Sequence, residues 1–110
     1  MTVAALAITP AELTIVRAIL ARFVPGCEVW AFGSRAKGNP KQYSDLDLAI
    51  VGDQPLSLAT TAELAEAFSE SDLPYRVDLV DWATTSASFR QIIDQGRVLV
   101  QGAQDYFESS

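Results

Sequence analysis

Between residues 13 and 23 the apolar positions Leu13, Val16, Ile19, Leu20 and Phe23 recur every three or four residues, the period that lays one stripe along a helix. Thr9-Pro10-Ala11-Glu12 ahead of it has the form of a capping box. It offers a hydroxyl to the unpaired N–H groups of the first turn, a carboxylate three residues on, and proline at the first helical position. Ile8 with Leu13 forms the hydrophobic staple, and Pro25-Gly26 ends the helix. The period then shortens. Glu28–Phe32 reads as the first strand, and Leu46–Val51, entered through Asp45, is an apolar run of the length of a buried strand. Leu58, Ala62, Ala65 and Phe68 predict a second amphipathic helix ending near Ser71, and Tyr75–Val80 predicts another strand. A short helix from about Ser86 to Gln95 follows, with Phe89, Ile92 and Ile93 inward and Gly96 as its stop. Arg97–Val100 is an edge strand, and the tail from Gln101 to Ser110 either frays or docks Tyr106 and Phe107 on a partner.

At 110 residues this pattern makes one domain, spanning 1–110, with a core over about 10–100 and the tail 101–110. There is no room for a second substrate-binding domain, so an acceptor is bound on the chain's own surface or on one borrowed from another chain. No run approaches the ~18 apolar residues of a membrane span, and the N-terminus lacks the basic region of a signal peptide. Those features and the single cysteine, Cys27, point to a cytoplasmic, reducing location. Cys27 fills space at the start of a strand, since the chain has no histidine to activate it. A net charge of −6 argues against direct nucleic-acid binding, which draws on basic patches. The excess acid is an ordinary solvated surface or a face for a basic protein partner, which would speed association.

Chemistry concentrates in two stretches, Gly33-Ser34-Arg35-Ala36-Lys37-Gly38 and Ser44-Asp45-Leu46-Asp47-Leu48. Asp45 and Asp47 are alternate residues of a strand-like run and project to one face. Like charges placed so close repel unless a cation sits between them, and Mg²⁺ takes carboxylate oxygens together with substrate phosphates. Asp78, in the apolar middle of the run 75–80, is the third acid; burying it alone would be costly. Its rival, Asp81, falls on the opposite face, toward solvent. A salt bridge from Asp78 to Arg76 or Arg90 is the structural alternative. Gly33 and Ser34 begin many ordinary turns, but here they follow a strand and face the acids. Gly33 lets backbone approach a phosphate, and Ser34 adds a hydroxyl and an amide. Arg35, Lys37 and Lys41 gather positive charge in an acidic chain, and at least one meets a triphosphate, Arg35 before Lys37. Trp30 and Trp82 are structural aromatics.

Gly33-Ser34, a spacer from Arg35 to Ser44, and Asp45-Leu46-Asp47 resemble the signature of the DNA polymerase β-like nucleotidyltransferase superfamily, with Asp78 where its third carboxylate falls. The short length and the wording of both stretches look most like the minimal nucleotidyltransferases, the antitoxins of HEPN/MNT toxin–antitoxin pairs. The resemblance implies an α/β fold: a small mixed sheet with helices packed mainly on one face. It implies transfer of AMP from ATP to a hydroxyl, with two Mg²⁺ ions held by Asp45, Asp47 and Asp78. Gly33, Ser34, Arg35 and Lys37 would hold the nucleotide. The implied acceptor is a tyrosine of a cognate HEPN-type toxin protein, silenced by the modification. Two alternatives stay open: neutralisation by binding alone, and a small-molecule, aminoglycoside-type transferase.

Overall fold

The computed structural model describes residues 6–37, 44–52 and 54–102. Among them, three α-helices alternate with four strands: α1 (Pro10–Phe23), β1 (Glu28–Phe32), β2 (Leu46–Val51), α2 (Leu58–Ser69), β3 (Val77–Asp81), α3 (Ala87–Asp94) and β4 (Val98–Gln101). The sheet order is β3-β2-β1-β4. β1 runs antiparallel to both β2 and β4, whereas β2 and β3 are parallel, joined by the crossover through α2. The sheet is therefore mixed, as the family resemblance implied.

Alternation along β2 divides the molecule. Leu46, Leu48 and Ile50 point into the main core with Val29 and Ala31 of β1, where Val16 and Leu20 of α1 and Leu64 and Phe68 of α2 cover them. Asp47 and Ala49 lie on the other face, where Ala49 packs with Phe32 and Ile93 in a much smaller cluster. α1 keeps its full cap: Thr9 Oγ1 accepts from Glu12 N–H at 3.1 Å and Glu12 Oε1 accepts from Thr9 N–H at 3.1 Å. Cys27 packs against the main core just before β1.

Several expectations change in detail. In α2 the inward positions are Leu64 and Phe68, while Ala62 and Ala65 are exposed and Leu58 is 89 % exposed. In α3 only Ile93 is buried, while Phe89 and Ile92 are exposed. Phe89 still places its ring edge-on to Phe32, with centroids 6.0 Å apart. Gln101 is not tail but the end of β4, buried, its amide donating to Val24 O and Cys27 O at 2.8 Å each. Tyr106 and Phe107 lie outside the described residues.

Candidate functional site

The sheet's second face gathers the acids. Asp47 of β2 and Asp78 of β3 are directly opposed in the parallel register. Asp45 sits one residue before β2 begins. The Asp47 carboxyl is pushed up to about 6, first by partial burial, then by the negative charges of Asp78 and Asp45. The strand register sets Asp47 beside Asp78. Asp78 is exposed rather than buried, so its charge needs no protein partner. Arg90, one of the two arginines that could have paired with it, instead lies over Trp82 and donates to the Trp82 carbonyl at 3.1 Å. The ion pair formed among the described residues is Arg97–Asp94, at 3.0 Å.

Asp81 also departs from expectation. Its Oδ2 accepts from Leu56 N–H at 2.9 Å and its Oδ1 from Ala83 N–H at 3.2 Å, capping the short 3-10 helix Trp82–Thr84. It is a structural acid, fixing the start of α2 against the end of β3.

β1 leads straight into the glycine turn. Gly33 has φ +81°, and a Cβ placed there would collide with Asp47 Oδ2. Glycine is thus demanded twice, by the left-handed backbone and by the neighbouring carboxylate. Lys37 N–H closes the turn on Gly33 O at 3.1 Å, and Ser34 lies within it, half-buried. Lys37 is exposed, with its aliphatic stem alongside Gly96, the residue of φ +76° between α3 and β4. Lys41 lies outside the described residues.

Arg35 corrects the sequence reading most clearly. It is only 7 % exposed. Its Nε donates to Ser44 O at 2.9 Å and its Nη1 to Ala7 O at 3.0 Å, while the guanidinium lies 4.0 Å from the centre of the Tyr75 ring. A side chain so engaged is turned away from a phosphate at the glycine turn. The signal for this was the tyrosine at position 75, but its partnership with an arginine so distant in sequence has no local pattern.

The donors fit a hard divalent cation: carboxylate oxygens that accept only, repel one another, and stand beside a turn able to meet phosphate. As the side chains stand, no group of three or more His, Cys, Asp or Glu among the described residues closes around an ion.

Residues 25–105 match the family described as Polymerase beta, Nucleotidyltransferase. The chain belongs to the polymerase β nucleotidyltransferase family. It is 60 % identical over 90 residues, 82 % of this chain and 79 % of the relative, to the probable protein adenylyltransferase MntA of Haemophilus influenzae (strain ATCC 51907 / DSM 11121 / KW20 / Rd). Its fold matches a chain from a toxin–antitoxin crystal structure with AMP-PNP, at TM-score 0.72 and 26 % identity over 89 % of this chain and 79 % of that one. It also matches a chain from tri-AMPylated Shewanella oneidensis HEPN toxin in complex with MNT antitoxin, at TM-score 0.65 and 24 % identity over 90 % and 76 % of the two chains, a likeness of fold. This nucleotidyltransferase has, among its described residues, no helix long and apolar enough to cross a membrane.

Proposed function

We propose that this nucleotidyltransferase moves AMP from ATP to a tyrosine hydroxyl of a cognate HEPN-type toxin and so serves as its antitoxin. The observation that carries the reading is the opposition of Asp47 and Asp78 beside the Gly33-Ser34 turn. It is supported by the relative named a protein adenylyltransferase and by the fold's likeness to a toxin–antitoxin structure with AMP-PNP.

In the proposed reaction the acceptor oxygen attacks the α-phosphorus, the bond to the β-phosphate's bridging oxygen breaks, and pyrophosphate leaves. Gly33 and Ser34 present backbone and hydroxyl to the triphosphate, and Lys37, exposed at the turn's end, meets its outer charge. Asp78, the exposed acid, is open to an acceptor arriving from solvent and takes its proton. Asp45 and Asp47, with Asp78, would hold Mg²⁺, which when bound supplies positive charge against the triphosphate and eases ionisation of the acceptor.

Neutralisation by occlusion has one observation in its favour. Ile92 is 55 % and Leu99 45 % exposed, apolar side chains that a partner could cover. One experiment separates the two. Incubated with labelled ATP, Mg²⁺ and the partner, wild type should add AMP mass units to the partner and release pyrophosphate. Asp78→Asn should slow the transfer about 100-fold or more while the complex still forms. Complex formation and protection of cells with no partner modification would make occlusion the better account.

A further inference from the structure

We propose that Arg35 is a positioning residue, a buried clamp that sets Asp45 relative to the glycine turn and the entry to β3. The idea rests on the nucleotidyl-transfer reading for its consequence, but its geometry is independent of that reading.

Asp45 precedes β2, so its placement depends on the peptides either side of it. The carbonyl before it, Ser44 O, accepts from Arg35 Nε at 2.9 Å; the amide after it, Leu46 N–H, donates to Arg76 O at 2.8 Å. Those two anchors are themselves linked. The Arg35 guanidinium lies over the ring of Tyr75, the residue next to Arg76 and three before Asp78. Tyr75 Oη donates to Glu12 Oε1 at 3.0 Å, the same oxygen that accepts from the Thr9 amide in the α1 cap. On its other side Arg35 exchanges two bonds with Ala7: Nη1 donates to Ala7 O at 3.0 Å, and Ala7 N–H donates to Arg35 O at 2.8 Å. One side chain, two residues past Gly33, thereby joins the segment before α1, the glycine turn, the approach to Asp45 and the approach to Asp78.

The chemistry calls for arginine. A buried cation is costly unless its donors are met, and here main-chain carbonyls and an aromatic face meet them. Only a planar fork can give two donors to different segments while stacking on a ring; an ammonium on a flexible stem cannot hold both. A phosphate contact would be satisfied by lysine, whereas the clamp is not. Conservative replacement is therefore the discriminating variant.

The test compares Arg35→Lys, Arg35→Met and Tyr75→Leu with wild type. The last removes the ring but leaves the arginine, in case neither Arg35 variant folds. Folded fractions are checked by circular dichroism. Mn²⁺ binding in the presence of ATP is read by electron paramagnetic resonance, and amide hydrogen exchange is followed at Leu46 and, as control, at Ala49 within β2. The clamp predicts faster exchange at Leu46 but not at Ala49 in all three, and Mn²⁺ affinity lower by about 10–100-fold, the range typical of groups that orient metal ligands. A folded Arg35→Lys with wild-type exchange at Leu46 and wild-type Mn²⁺ affinity overturns the proposal. So does loss in Arg35→Met restored by Arg35→Lys, the signature of a charge contact. If wild type itself binds no Mn²⁺ with ATP, the nucleotidyl-transfer reading fails, and Leu46 exchange still decides the clamp.

Discussion

Asp47 carries the electrostatic tension of the site. Its carboxyl, raised from the ordinary 3.8 to about 6 by burial and then by Asp78 and Asp45, keeps a proton in the folded state that the unfolded chain has already lost. The folded protein thus binds more protons across that window, and the group's contribution lowers stability as pH rises from 3.8 through about 6. The proposed cation binding needs the carboxylate, so it should weaken as pH falls below about 6. Removing one neighbouring charge with Asp78→Asn should lower the Asp47 pKa and move the midpoint of pH-dependent Mn²⁺ binding in the same direction. Carboxyl ¹³C titration by NMR reads the first and a pH series of metal titrations the second; an unmoved Asp47 would separate Asp78 from the site. The carboxylates and Gly33 were legible in the sequence because alternation and a glycine after a strand are local signals. Arg35 was not, since its acceptors lie 9 and 28 residues away and a lone arginine reads equally as solvated or anion-binding.

At the scale of elements, β1, β2 and α1 were the most readable, because their apolar periods are sustained and α1 carries both capping and staple residues. The faces of α2 and α3 were harder to assign. Alanines such as Ala62 and Ala65 bury little area and lose to Leu64 and Phe68, and α3, with eight residues, commits a single side chain to the core. Asp81 belongs to this scale, holding the amides of Leu56 and Ala83 from 25 and 2 residues away. Asp81→Ala leaves both without that acceptor and should cost about 1–3 kcal/mol, seen as a lower denaturation midpoint. In the protein that remains folded, transfer should persist. Asp78→Asn should do the reverse, sparing the melt and slowing the chemistry. An Asp81→Ala protein that melts like wild type but cannot transfer AMP would exchange the two acids' roles.

Taken whole, the molecule is an acidic chain of net charge −6, and on the proposed reading it receives an anionic triphosphate, a ligand that its overall field opposes. Local positive charge at the turn cannot by itself offset three neighbouring carboxylates, so the proposed reading makes nucleotide and divalent cation each the condition for binding the other. Linkage then requires the coupling to be reciprocal. ATP alone and Mn²⁺ alone should each raise the melting temperature little. Together, at concentrations about 100 times the joint dissociation constant, they should add about 2.7 kcal/mol, a rise of roughly 10 °C for a domain of this size. Asp45→Asn combined with Asp47→Asn should abolish the joint rise. At pH 7 that variant should also melt no lower than ligand-free wild type, because the substitutions relieve repulsion and break none of the hydrogen bonds that hold Asp81 or Arg35. Differential scanning calorimetry over the four ligand conditions measures all of this. An undiminished joint rise in the double variant would place the cation elsewhere and leave the acids of β2 without a role in nucleotide binding.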